Sequence, residues 1–411
     1  AWRLDKESFL KVSWLDALKL RASYGKVGND ATLNTDGTNN YYPYQALYAL
    51  GFNNISEPGF VQNSLANDSL TWESSKSFDL GIDFGLFKNR LSGTVEYFNK
   101  VTDRLIFNVP QPLSNGGTTG GGLTIQKNIG TMVNKGVEVQ LTGDVLRTKD
   151  FTWNMVLNWT TFKNEITKMP VETPEIIQSP QKLAVGHSIF EFWTREFFGV
   201  DPVDGAALWR SNTYNASTDR IFANGKGNDT LTTSSNNARF HYAGTSIPKF
   251  FGSIGNTFTY KNFDLSVLLT YQIGGKIYDG NYQNLMTPGQ YGLALHQDLL
   301  NRWQKPGDIT NIPRMDNAKV GIYDAVSDRF LVSGTYLSIN NLSIGYNFPK
   351  EFMSRIGAKS AKFFASGENL HFFSKKKGTN VGGNFDGLEG FANNRHFFVS
   401  RVLSLGLNVT F

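Results

Sequence analysis

Leu403-Ser404-Leu405-Gly406-Leu407-Asn408-Val409-Thr410-Phe411 ends the chain and alternates without a break. Leu403, Leu405, Leu407, Val409 and Phe411 are apolar, while Ser404, Gly406, Asn408 and Thr410 are small or polar, so an extended strand here has one greasy and one wet face. A soluble sandwich strand does the same. What separates the cases is that the pattern recurs upstream in long segments joined by alternately tight and very long connections, which is how a closed barrel crosses a bilayer. The expectation is an all-β chain forming part of a transmembrane antiparallel β-barrel of the outer-membrane kind.

Upstream, Leu18, Leu20, Ala22 and Tyr24 share a face opposite Lys19, Arg21 and Ser23, and charges on that second face imply a wet interior. Phe78, Leu80, Ile82, Phe84 and Leu86 oppose Ser77, Asp79, Asp83 and Gly85; after a tight turn at Lys88-Asn89-Arg90 the chain returns through Leu91, Gly93, Val95 and Tyr97. Val137, Val139 and Leu141 lead to a turn at Arg147 to Asp150, followed by Phe151, Trp153, Met155, Leu157 and Trp159. Ile254, Phe258 and Tyr260 meet Phe263, Leu265, Val267, Leu269, Tyr271 and Ile273 across the minimal turn Lys261-Asn262. Leu342, Ile344, Tyr346 and Phe348 are in phase with one another, but Leu337 and Ile339 are not, which predicts a bulge near Asn340-Asn341. Pro349 is expected to open a short helical connection ending at Gly357.

Tight turns near Lys88, Arg147, Lys261 and Pro349 alternate with long connections centred near Tyr44, Gly120, Ser217, Gly289 and Phe385. Short turns belong to the periplasmic side and long loops to the outside, so the last strand runs inward and leaves Phe411 at the periplasmic rim. Ile189 to Val200 reads as strand, but parity requires that it have a partner or form an external hairpin. The count is about ten to twelve membrane strands.

Composition excludes several classes. The 411 residues include 41 Gly, 32 Phe, 16 Tyr and 8 Trp, mean hydropathy is -0.30, and no apolar run approaches the roughly 18 residues of a spanning helix. The absence of Cys removes disulfide frameworks, thiol catalysis and Cys-ligated zinc. A formal charge of +5 from scattered basic residues gives no nucleic-acid signature, and Lys375-Lys376-Lys377 reads as a solvated run. The glycine run Gly116-Gly117-Thr118-Thr119-Gly120-Gly121-Gly122 has linker chemistry and lacks the Gly-Lys-Ser/Thr of a phosphate loop. His187, His241, His296, His371 and His396 are isolated from one another, so no metal site is expected, and no cofactor is implied. Asp201-Pro202-Val203-Asp204-Gly205 lacks the ligand count of an EF-hand and reads as a turn. No motif places a Ser-His-Asp set, so no catalytic residue is expected.

An ordered set of short motifs resembles the SusC/RagA-type TonB-dependent transporters of Bacteroidota outer membranes. They are Leu18-Lys19-Leu20-Arg21-Ala22-Ser23-Tyr24-Gly25, Asn128-Ile129-Gly130 with Asn134-Lys135-Gly136-Val137-Glu138, and Arg302-Trp303-Gln304-Lys305-Pro306-Gly307-Asp308. Ser327-Asp328-Arg329-Phe330, Tyr336-Leu337 leading to Gly345-Tyr346-Asn347-Phe348-Pro349, and Gly367-Glu368-Asn369-Leu370 complete the set. The resemblance runs nearly end to end and implies a roughly 22-stranded barrel with a plugged lumen. Residues 1–411 would then be the C-terminal part of that barrel, with the plug, the TonB-binding segment and the earlier strands outside this sequence. No export signal is read at Ala1, in keeping with a piece whose beginning lies elsewhere.

What the resemblance implies is active import. A large nutrient, an oligosaccharide or a peptide, would be held between the barrel and a SusD-like surface lipoprotein, and the TonB-ExbB-ExbD complex would act through the absent N-terminal part. Tyr41, Tyr42, Tyr44, Trp193, Trp209, Tyr282 and Tyr291, in or near loops, are candidates to stack on cargo, although an aromatic near a strand end is more often an interfacial girdle residue. Arg302, Trp303 and Asp308 lie in a Pro-Gly turn whose first role is to shape a loop, with contact to lid or plug second. Phe411 is the candidate barrel-assembly signal. A passive porin, a barrel enzyme or a non-transport surface-binding barrel would share the alternation without the ordered motifs.

Overall fold

A computed structural model of the chain describes residues 1–32, 39–115, 123–213, 215, 219–223, 228–376, 391–392 and 399–411. The glycine run at 116–122, and the parts of the other long connections centred on Ser217 and Phe385, lie outside these residues. Ten long strands carry the alternating segments: β1 (Leu15–Asn29), β2 (Glu73–Leu86), β3 (Leu91–Asp103), β4 (Thr131–Arg147), β5 (Phe151–Lys168), β6 (Phe250–Tyr260), β7 (Phe263–Ile273), β8 (Tyr336–Asn347), β9 (Ser360–Ser374) and β10 (Val402–Thr410). Each pairs antiparallel with the next, and the two-residue strand Trp2–Arg3 adds to the outer side of β1, giving one 11-stranded sheet. Its two edges are not joined to each other, so these residues form a sector of wall.

Register keeps one face largely apolar across the middle of the sheet. Leu20, Ile82, Val95, Val139 and Trp159 are successive cross-strand partners, as are Ile254 with Leu269, Phe258 with Leu265 and Ile344, and Ala365 with Leu405. Apolar side chains on that face stay exposed in the isolated chain: Leu80 is 45% exposed, Leu405 77% and Leu407 60%. Such a continuous surface is at home only against lipid or a partner. Asp79, Asp83, Asp264, Gln272 and Asn408 lie on the opposite phase.

The bulge expected near Asn340-Asn341 is present: Leu268 pairs with Asn341 and Leu269 with Ile339, leaving Asn340 as the extra residue. On the other side of β8, Asn341 pairs with Glu368 and Ile339 with His371, and Asn369 takes φ +52. Asn tolerates that left-handed conformation better than other side chains, which explains the Asn of Gly367-Glu368-Asn369-Leu370. The connection after Pro349 is a helix over Lys350–Arg355, packed by Met353 on Ala358 and Ala361.

β1 to β5 are 13 to 18 residues long, beyond the roughly 9–11 residues that cross a bilayer. Their outer ends therefore project from the membrane, and the connections between them fold into a layer with small sheets and its own cores. One core gathers Phe192, Tyr278, Met286, Leu299, Ile312 and Phe330; a second gathers Ala207, Trp209, Tyr323 and Ala325; a third packs Ile166 of β5 against Val109, Ile129, Ile176 and Leu183. Ile189 to Val200 belongs to this layer, not to the wall. Glu191–Arg195 pairs with Phe240–Thr245, and Phe197–Val200 with Ala207–Arg210, while β5 pairs directly with β6.

Candidate lumenal and loop sites

The polar face of the wall is ion-paired. Arg21 on β1 binds the Asp83 carboxylate of β2 through Nε at 2.9 Å and Nη2 at 3.0 Å, and reaches Glu96 of β3 at 3.0 Å. Thr94 donates to Asp83 at 3.1 Å, and Lys19 stands 3.6 Å away. Lys362 of β9 binds Asp264 of β7 at 2.9 Å across β8. Farther out on this face, a shallow groove of about 430 Å³ is lined by Asp79, Glu96, Phe98, Lys100, Glu138 and Phe162, among others. Phe98 lies over Gly136, where a Cβ would stand 2.7 Å from both the Phe98 ring and Phe162. Aromatic residues on the wet phase were not singled out from the sequence, because alternation assigns a face and not a role.

Three of the family-like motifs, Asn128 to Gly130, Arg302 to Asp308 and Ser327 to Phe330, are fasteners of the loop layer, while the others lie on strands of the wall. Asn128 accepts from the Thr71 N–H at 2.7 Å and donates to the carbonyls of Thr71 and Arg104, Ile129 is buried, and Gly130 turns at φ +86 with the Lys168 carbonyl too close for a side chain. In Arg302 to Asp308, the Asp308 carboxylate accepts from the Gln304 and Lys305 N–H groups at 2.9 Å each, and these bonds hold it below the usual carboxylate range. Arg302 donates to the Leu299 carbonyl at 3.1 Å. Trp303 sits directly on Gly205, at φ +75, and its Nε1–H donates to the Pro202 carbonyl at 3.1 Å. Ser327 and Phe330 are fully buried, and Asp328 accepts from the Phe197 N–H at 2.9 Å and lies 3.1 Å from His241 Nε2.

The candidate aromatics divide sharply. Tyr41 is 76% exposed, Tyr42 59% and Tyr291 97%. Tyr44 lines a cleft of about 230 Å³ with Asp30, Thr32, Thr71 and Trp72. Trp193 is half-buried in a ladder: Lys182 lies 4.2 Å over its ring, Tyr242 packs edge-on at 4.7 Å, and His187 stacks on Tyr242 at 3.6 Å. Tyr282 donates to Asp298 at 2.8 Å beneath Lys376, and burial followed by that bond pushes its hydroxyl up to about 12. Trp209 corrects the sequence reading. It is fully buried against Phe197, Ala207 and Tyr323, and no ring face is open to a cargo. Alternation cannot distinguish a rim aromatic from one beneath a folded loop layer.

The acidic turn Asp201 to Gly205 is neutralised from within the protein. Arg220 binds Asp201 and Asp204, and Arg314 donates to the Asp204 carbonyl at 2.7 Å. Among the described residues no group of three metal-ligating side chains converges. His187, His241 and His296 each face a single carboxylate, from Glu191, Asp328 and Asp298.

A wet, ion-paired wall under a packed loop layer can pass or hold a solute. The model of the TonB dependent receptor-like β-barrel family matches residues 8–370. TonB-dependent receptor P3 of Formosa agariphila is 30% identical over all of this chain and 41% of its own length. TonB-dependent receptor SusC of Bacteroides thetaiotaomicron is 25% identical over 92% of this chain and 36% of its own. The chain thus spans about two fifths of such relatives. Among solved structures, the RagAB peptide importer in its closed-closed state superposes with a TM-score of 0.78 at 22% identity, over all of this chain and 42% of the other, which supports the fold. Register, strand grammar and the family match agree: the chain belongs to the TonB-dependent receptor-like β-barrel family, as part of an outer-membrane barrel.

Proposed function

We propose that this chain is the C-terminal wall and loop layer of a TonB-dependent importer of a large nutrient, an oligosaccharide or a peptide, working with a SusD-like surface lipoprotein. The observation that carries the reading is the pairing of a charged inward face, built around Arg21, Asp83 and Glu96, with an outer layer that has its own cores. A narrow passive pore has little need for so large a folded superstructure, whereas capture of a bulky solute does. The similar RagAB assembly is a peptide importer, which favours a large polar cargo. No covalent step is assigned to the barrel.

Tyr41, Tyr42, Tyr44, Trp193, Tyr282 and Tyr291 remain the proposed cargo contacts, and Arg302, Trp303 and Asp308 the proposed contacts to lid or plug, acting through the turn they stabilise. The test uses the full-length protein in its native host. Uptake of the cognate oligomer should stop when the proton-motive force is collapsed or TonB is removed, and mild-detergent purification should recover a lipoprotein. Uptake that persists without TonB, with steady conductance in planar bilayers, would establish a passive porin instead.

A further inference from the structure

We propose that four lysines on the outward face of the wall, Lys26, Lys76, Lys135 and Lys163, dock the phosphate groups of glycolipid headgroups in the outer leaflet. Lys26 of β1 is the direct cross-strand partner of Lys76 on β2, and Lys135 of β4 is that of Lys163 on β5. All four share the phase of Leu20, Ile82, Val139 and Trp159, so they point away from the lumen. Like charges directly opposed across a strand pair destabilise a sheet unless an anion lies between them.

The level on the wall identifies that anion. Tyr24 pairs with Phe78 one outward-facing position below Lys26 and Lys76; Tyr97 on β3, the partner of Val137, stands one outward-facing position below Lys135 and Lys163, and the apolar band continues inward. An aromatic row of this kind marks the membrane interface, so the next positions outward lie among headgroups. These are also the ends that lead into the long outer connections. Lys26, Lys135 and Lys163 are exposed, and among the described residues no ion pair joins them. Lys76 is bound to Asp103 at 2.7 Å, and Glu165, beside Val133, is the other carboxylate on this part of the face. Four cations against two carboxylates leave a positive excess. Strand spacing and rise place Lys76 about 12 Å from Lys135, the nearest approach of the two pairs, which suits a headgroup bearing more than one phosphate.

The full-length transporter in phosphatidylcholine nanodiscs doped with bisphosphorylated lipid A, or with its dephosphorylated form, tests this by native mass spectrometry of retained lipid. Retention of the phosphorylated form should exceed that of the dephosphorylated form by about ten-fold, fall by a similar factor in K135Q/K163Q, survive in K135R/K163R, and weaken in high salt. Equal retention of the two lipids by the wild type would overturn the proposal without reliance on any variant. Undiminished retention in a folded K135Q/K163Q protein would also overturn it. Displacement of the lipid by an equal concentration of inorganic phosphate would make this a free-anion site and overturn lipid docking.

Discussion

Arg21 passes its guanidinium over Gly81 and places Nη2 3.0 Å from Glu96, two strands away. The arrangement recurs where Lys362 and Asp264 meet over Gly345, whose Cβ would stand 2.5 to 2.8 Å from both. In each case a glycine on the middle strand lets charges on the flanking strands touch across it. Gly345→Val should cost about 1–3 kcal/mol by forcing the pair apart. Urea unfolding of the full-length protein checks this, and most of the cost should disappear when Asp264 is already Ala, since the two changes act on one contact. Strictly additive costs would show that the pair contributes nothing across the glycine.

The register also separates lipid-facing from lumenal sites. Val267 and Ser266 are sequence neighbours on opposite faces of β7, partnered by Asn256 with Leu342 and by Thr257 with Ser343. Val267→Arg should destabilise the barrel by about 2–4 kcal/mol, and Ser266→Arg should be tolerated. Loss of heat-modifiable migration in the first variant alone is the expected result; the reverse order would mean that the faces are exchanged.

The wall was legible because its period is set by pleat geometry: every second residue of Phe78 to Leu86 is committed to one face, and even the bulge at Asn340 shows as a change of phase. The loop layer was not. Asn128, Trp303 and Asp328 act through contacts with Thr71, Gly205 and His241, far away in sequence and without periodicity. Trp209 shows the limit most clearly, since its fully buried position depends on Phe197, Ala207 and Tyr323 folding around it.

Asp328 supplies a pH dependence for that layer. Burial raises its carboxyl above the usual carboxylate range, against the lowering influence of the Phe197 N–H and His241. A folded-state pKa above the unfolded one means that the group favours the fold most below the ordinary carboxylate range, and that this contribution is lost as pH rises through the raised value. Asp328→Asn keeps an acceptor for the Phe197 N–H. It should therefore be near neutral or stabilising by on the order of 1 kcal/mol at neutral pH, and lose that advantage in acid. Amide exchange at Phe197 across this range reads it; a variant much less stable at neutral pH would show that the contact with His241 outweighs burial.

Trp303 pins the 201–205 turn through Gly205 and the Pro202 carbonyl. Trp303→Ala should cost the loop layer about 3 kcal/mol and open residues 200–210 to protease, while the wall keeps its unfolding midpoint. Protection unchanged in that segment would leave the contact without energetic weight.

Phe411 follows β10 on the phase of Leu403, Leu405, Leu407 and Val409, and it is 77% exposed at the end of a strand whose far edge has no neighbour among the described residues. Two roles fit that place. As an interfacial anchor, Phe411 contributes apolar area and an amphipathic ring, and Leu would retain most of the burial. As a signal read during assembly, the aromatic ring itself matters, because recognition precedes burial and the open edge of β10 must be guided to its partner before it pairs elsewhere. We propose the second role. Phe411→Leu should leave the folded protein's unfolding midpoint within about 1 kcal/mol of wild type yet slow its appearance in the outer membrane in pulse-chase labelling. Wild-type insertion rates for both Phe411→Leu and a Phe411 deletion would reduce the residue to an anchor.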